Sequence, residues 1–120
     1  MKTIILVDDT PDLLILLKKI IERSPIFSVI ATEFNAADAY ESILNLHPDI
    51  ILVDLSMPGE DGISLISRLL KAGYHGKIGI LSGHPINSVT NRLEDIKYNW
   101  YFEKGISVNN MLNIIEQSYE

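Results

Sequence analysis

The sequence predicts an α/β fold, a parallel sheet covered by helices on both faces, and three observations carry that prediction. Short runs rich in β-branched residues and leucine alternate five times with amphipathic stretches of helical period. Strict alternation makes every crossover long, helical and right-handed, which is the connection parallel strands need. The third run is apolar on both faces, as a buried parallel strand is and a half-solvated antiparallel strand is not.

The elements follow in order. Lys2–Val7 is the first strand, an Ile, Leu and Val run that stops at Asp8-Asp9. Pro11 suits a first helical turn, and from there Leu13, Leu14, Leu16, Leu17, Ile20 and Ile21 recur at helical spacing until Ser24-Pro25. Phe27–Glu33 is the second strand. Asn35, with Asp38 three residues on, is an N-cap for a helix over Ala36–Leu46 that His47-Pro48 stops. Asp49–Asp54 is the third strand, and Met57-Pro58-Gly59-Glu60-Asp61-Gly62 is a loop in which Glu60 and Asp61 serve only as solvated acids. A helix through Ile63, Leu65, Ile66, Leu69 and Leu70 closes at Gly73.

Lys77–Leu81 is the fourth strand and runs into Ser82-Gly83. Pro85–Lys97 carries only a faint helical period through Val89, Leu93 and Ile96, so a short or mobile helix is expected there. Asn99–Glu103, with its Trp100-Tyr101-Phe102 core, is the fifth strand. Ser107–Tyr119 is the last amphipathic helix, in which Met111, Leu112 and Ile115 suit a core or an interface equally well.

Composition narrows the function. At 120 residues the chain is one domain, undivided by a linker, repeat or low-complexity segment. A mean hydropathy of +0.16 excludes disorder. No apolar run approaches the roughly 18–20 residues of a membrane span, and the N-terminal run is too short for a secretory signal and ends in two acids. The absence of cysteine excludes disulfides, thiolate zinc sites and a Cys nucleophile. His47, His75 and His84 lack metal-ligand spacing and read as surface or loop residues. Ten Lys and Arg against 16 Asp and Glu give a net charge of −6, which argues against nucleic-acid binding by the general surface. A cytoplasmic acidic domain is expected. Neither a dinucleotide-binding glycine pattern, a phosphate-binding loop nor a GxSxG elbow is present.

In open parallel sheets, ligands bind beyond the carboxyl ends of the strands where the strand order reverses. Strand one ends in Asp8 and Asp9, strand three in Asp54 and strand four in Ser82, while Lys104 follows strand five. Converging carboxylates call for a hard cation, for which Mg2+ fits best. A metal, a lysine and a hydroxyl around a carboxylate suit phosphoryl transfer, with Asp54 as the nucleophile.

Asp8-Asp9, Asp54-Leu55-Ser56-Met57-Pro58-Gly59-Glu60-Asp61-Gly62, Leu81-Ser82-Gly83 and Tyr101-Phe102-Glu103-Lys104 resemble the receiver domain of two-component response regulators. The resemblance covers residues 1–120, and its specificity lies in the joint spacing, with Ser82 28 residues after Asp54 and Lys104 22 after Ser82. It implies a (βα)5 flavodoxin-like three-layer sandwich of sheet order 2-1-3-4-5. It further implies that Asp54 accepts a phosphoryl group from a sensor histidine kinase or phosphotransfer protein. Asp9, Asp8, Asp54 and the Ser56 carbonyl would hold Mg2+, while Ser82, Lys104 and the Gly83 amide would contact the phosphoryl oxygens. Movement of Ser82 would let Tyr101 rotate inward and reshape the surface of the fourth helix, fifth strand and fifth helix; read from residues alone, Tyr101 is core or interface packing.

The implied partners are a histidine kinase and an output domain or effector that controls transcription, with homodimerisation on phosphorylation and no direct nucleic-acid contact. The chain is then a stand-alone receiver or the N-terminal part of a longer regulator, enzymatic only toward its own phosphorylation. One departure concerns residue 105, where the family usually has proline after a cis bond and this chain has Gly105. The Lys104 loop is expected either trans and differently aimed, or cis under strain. Two rivals stand beside this reading: a degenerate receiver that only binds protein, and a magnesium-dependent phosphohydrolase with Asp54 as nucleophile. The second lacks a general acid at Ser56.

Overall fold

Parallel pairing joins five strands in the order β2-β1-β3-β4-β5 in a computed structural model that describes residues 1–119. The elements are β1 (Lys2–Val7), α1 (Pro11–Ile21), β2 (Phe27–Glu33), α2 (Ala36–Leu46), β3 (Ile50–Asp54), α3 (Gly62–Lys71), β4 (Lys77–Ser82), α4 (Thr90–Leu93), β5 (Trp100–Glu103) and α5 (Val108–Gln117). The expected boundaries hold to within about two residues at the strands. The weak stretch resolves into a 3₁₀ turn at Ile86–Ser88 and the four-residue α4.

The pleat sends alternate residues to opposite faces, and this builds two cores. Ile5, Val7, Ile51, Val53, Ile78 and Ile80 face one side with buried residues of α2, α3 and α4. Ile4, Leu6, Ile50 and Leu52 face the other with residues of α1 and α5. This is the flavodoxin-like three-layer sandwich. Met111, Leu112 and Ile115, for which core and interface were equally open, all lie in the core. The apolar residues exposed near them are Ile106 and Ile114.

Helix caps follow local sequence. Pro11 occupies the first turn of α1. Asn35 Oδ1 accepts the Asp38 amide at 2.8 Å, and its side-chain amide donates to Asp38 Oδ2 at 2.9 Å. His47 ends α2 in the left-handed region with φ 48°. Gly73, one residue past the Ala72 cap of α3, takes φ +93°, where a glycine is least strained.

At the amino end of the sheet Asp49 Oδ2 accepts the Thr3 amide at 2.8 Å and the Thr3 hydroxyl at 3.1 Å. The Thr3 amide bond is the main reason its carboxyl sits below the ordinary 3.8. A folded-state value below the unfolded one stabilises above the unfolded value and is lost as pH falls through the folded one. Because Asp49 is exposed, solvent screening reduces the effect, so Asp49→Ala should cost only about 0.5 kcal/mol at neutral pH, and urea titrations should show the gap closing as pH falls below 3.8.

Among the described residues no helix is long and apolar enough to cross a membrane. The strand order reverses between β1 and β3, so the crevice of such a sheet opens beyond Val7 and Asp54.

Candidate functional site

Four strand ends converge at that crevice. Backbone bonds carry the sheet past its last residues: the Asp8 amide donates to Glu33, the Leu55 amide to Leu81 at 3.0 Å, and the Lys104 amide to Ser82 at 2.6 Å. The last two bonds fix Asp54 and Lys104 against β4, and the pairing of Val7 with Val53 sets Asp8 beside Asp54.

Asp8 is fully buried, and its Oδ1 accepts the Thr10 amide at 2.9 Å, which turns the chain into α1. Asp9 is exposed at the rim. Asp54 is 1% exposed, and its Oδ1 accepts the Ser56 amide at 3.1 Å. Lys104 Nζ stands 3.2 Å from Asp54 Oδ2 and 3.3 Å from Asp8 Oδ2. Both Oδ2 atoms are buried and accept no hydrogen bond, so these contacts are ionic without hydrogen-bond geometry. Ser82 is fully buried, and its Oγ accepts the His84 amide at 3.0 Å. Gly83 and Ser56 lie exposed at the rim.

No peptide bond among the described residues is cis, so Lys104-Gly105 is trans. The expectation that a trans bond would aim the lysine elsewhere fails, because Gly105 at φ +111° bends the loop so that Nζ still reaches both carboxylates. Tyr101 is half-buried and packs beside the core, yet its hydroxyl donates to the His84 carbonyl at 2.8 Å.

Burial pushes the Asp54 carboxyl up, and the Asp8 charge adds to it, while the Ser56 amide and Lys104 oppose. For Lys104 burial pulls down, but the charges of Asp54 and Asp8 outweigh it and the ammonium is held above its ordinary value. Carboxylate oxygens of Asp8, Asp9 and Asp54 all lie within 4.8 Å of one another. Three acids face one lysine, and two of their buried oxygens accept no hydrogen bond, so the donor set fits a hard divalent cation. In metal-free buffer Lys104→Met leaves Asp8 and Asp54 without their counter-charge. It should cost of order 1–3 kcal/mol at neutral pH by urea unfolding.

Glu60 and Asp61 do more than solvate their loop. Glu60 Oε1 pairs with Arg68 at 2.5 Å, and Arg68 lies over the Tyr40 ring. Asp61 Oδ1 accepts the Ser64 amide at 2.9 Å as the N-cap of α3, and its Oδ2 pairs with Arg92 at 2.6 Å. An Asp just before Gly62 with Ser64 three residues on is a legible cap signal. The partnership with Arg92, 31 residues away, has no local signature.

Comparison with known proteins agrees with this architecture. The family described as response regulator receiver domain matches residues 4–116. The nitrate/nitrite response regulator protein NarL of Escherichia coli (strain K12) is 34% identical over 94 residues, covering 78% of this chain and 41% of that protein. The DNA-binding transcriptional activator EvgA of the same strain is 27% identical over 112 residues, covering 93% of this chain and 54% of its own. The chain thus spans about half the length of these curated relatives. A two-component response regulator of the LuxR family from Aurantimonas sp. SI85-9A1 superimposes with a TM-score of 0.89 at 26% identity, covering 98% of this chain and 84% of that one. With the family matched over nearly its whole length and the same fold in place, the chain belongs to the response regulator receiver domain family.

Proposed function

We propose that this chain is a phosphorylation-dependent switch in which Asp54 accepts a phosphoryl group from a sensor histidine kinase or a phosphotransfer protein. The observation that carries this reading is a buried carboxylate at the end of β3, flanked by Asp8, Asp9 and Lys104, with the Ser82 hydroxyl at the end of the neighbouring β4. In the transfer, the bond from phosphorus to the imidazole nitrogen breaks and one from phosphorus to an Asp54 carboxylate oxygen forms. The released imidazole takes a proton from solvent.

Asp8, Asp9, Asp54 and the Ser56 carbonyl would hold Mg2+, which supplies positive charge against the phosphoryl oxygens when bound. Lys104 neutralises a phosphoryl oxygen from the opposite side. Ser82 and the Gly83 amide donate to the remaining oxygens. Ser82 can donate its hydroxyl hydrogen there while its Oγ goes on accepting the His84 amide, so His84 follows any movement of Ser82. That bond and the Tyr101 hydroxyl's bond to His84 support a coupled movement of Tyr101 and of the surface formed by α4, β5 and α5.

The chain performs no turnover chemistry beyond its own phosphorylation and dephosphorylation. It acts on transcription in the cytoplasm through an output domain or effector, with homodimerisation on phosphorylation and without touching nucleic acid itself. The similarity to the DNA-binding transcriptional activator EvgA supports an output on transcription.

Intact mass after incubation with acetyl phosphate, with and without magnesium, tests the reading. A magnesium-dependent gain of one phosphoryl group, about 80 Da, is expected. A folded chain that gains nothing from acetyl phosphate or from a phosphohistidine donor is instead a protein-binding module.

A further inference from the structure

The crossover from β4 to β5, residues 83–99, carries little regular structure. Its regular structure is one 3₁₀ turn and the four-residue α4, neither with a side-chain cap. Val89, Leu93 and Ile96 are its buried side chains. Polar ties hold it at three places, the last at its end, where the Asn99 amide donates to the Ile78 carbonyl at 2.7 Å and Asn99 Oδ1 accepts the Ile78 amide at 2.8 Å. Near its start His84 donates its amide to Ser82 Oγ and accepts the Tyr101 hydroxyl on its carbonyl. Midway, Arg92 Nη2 meets Asp61 Oδ2 at 2.6 Å.

Asp61 is itself fixed. Its other oxygen caps α3, and it stands seven residues after Asp54 at the end of the loop that carries the acceptor away from β3. Arg92 therefore fastens the crossover to the acceptor loop, across the gap between α4 and α3. An interaction made in one packing and lost in the other shifts their populations by its own worth.

We propose that the Asp61–Arg92 ion pair is a strap that holds residues 83–99 in the arrangement where Tyr101 is bonded to His84. It thereby sets how readily the chain passes to its phosphorylated packing. This rests on the switch reading above. Such half-exposed pairs are individually weak, so the effect is a bias of about two- to fivefold rather than a lock. It is felt here because the segment's other polar ties to the rest of the fold lie at its two ends, at His84 and Asn99.

Arg92→Gln and Asp61→Asn test the strap, since asparagine still caps α3. Arg68→Gln, which breaks the Glu60 pair and leaves the crossover alone, is the control. Hydrogen exchange of the Ser88, Val89, Arg92 and Ile96 amides in the unphosphorylated chain is read beside the initial rate of phosphoryl uptake from acetyl phosphate at low salt. Both should rise about two- to fivefold in the two strap variants and stay at the parent value in the control. The parent should approach the variants in about 0.5 M salt, where exposed charges are screened.

Unchanged exchange at these amides, or an equal change in the control, overturns the strap. Faster exchange with unchanged uptake overturns its regulatory role. A parent that takes no phosphoryl group overturns the switch reading instead, and the exchange measurement then still decides whether the strap exists.

Discussion

Asp54→Asn is expected to take up no phosphoryl group from acetyl phosphate under conditions where the parent gains about 80 Da, and to unfold at a higher temperature than the parent. The first effect follows from chemistry, because an amide nitrogen and a neutral carbonyl oxygen offer no anionic nucleophile. The second follows from burial. Asp54 is 1% exposed, and burial is the leading reason its carboxyl sits above the ordinary value. A folded-state value above the unfolded one means that the charged form destabilises the fold once pH passes the unfolded value of about 3.8. Removing that charge removes the penalty, and Lys104 keeps Asp8 as its partner. Intact mass and thermal unfolding at neutral pH check the two halves separately. A variant still phosphorylated to parent extent would move the acceptor elsewhere. One less stable than its parent would show that the pair with Lys104 outweighs burial.

Gly62→Ala is expected to lose both stability and acceptor function although residue 62 carries no chemistry. Gly62 opens α3, and its amide donates to Leu55 at 3.0 Å, so the helix start is pressed against the strand end. A Cβ there would collide with the Asp54 carbonyl oxygen and stand 2.9 Å from the Leu55 Cα. Backbone atoms on both sides leave no flexible side chain to give way. Relief requires shifting either α3 or the end of β3, a cost of about 1–3 kcal/mol for overpacking. Because the shift falls on Asp54 itself, uptake from acetyl phosphate should fall at least tenfold, a size expected when reacting groups are misplaced by fractions of an ångström. Gly59→Ala is the contrasting case. A Cβ there meets nothing within 4 Å, but the glycine sits at φ +80°. It should cost about 1 kcal/mol through backbone strain and spare the site.

Legibility in the sequence depended on range. Strand ends at Asp8, Asp54 and Ser82 were visible because buried apolar runs stop abruptly at polar residues, and alternation with helices then placed those ends on one edge. Caps at Asn35 and the proline start of α1 were visible because capping is a contact over three residues. Asp61 belonged to the same class, but as one acid in a polar loop it looked like solvent-facing charge. The course of the Lys104 loop was not visible, since it depends on Gly105 taking φ +111° and on a backbone bond to β4. Nor was the assignment of Met111, Leu112 and Ile115 to the core, which depends on how α5 rolls against α1 and the sheet.

The sequence alone determined the α/β class, the element order and the group of residues that could meet at one crevice. It did so because helix and strand periods, caps and strand-ending acids are properties of neighbours along the chain. Only the tertiary structure decided that Lys104 bridges Asp8 and Asp54, that His84 links Ser82 to Tyr101, and that Arg92 is tied to Asp61. Apart from the Ser82–His84 bond, those are contacts between residues 17 or more positions apart. Their formation is set by strand order and by the angle at which each loop leaves the sheet, and no local pattern encodes either.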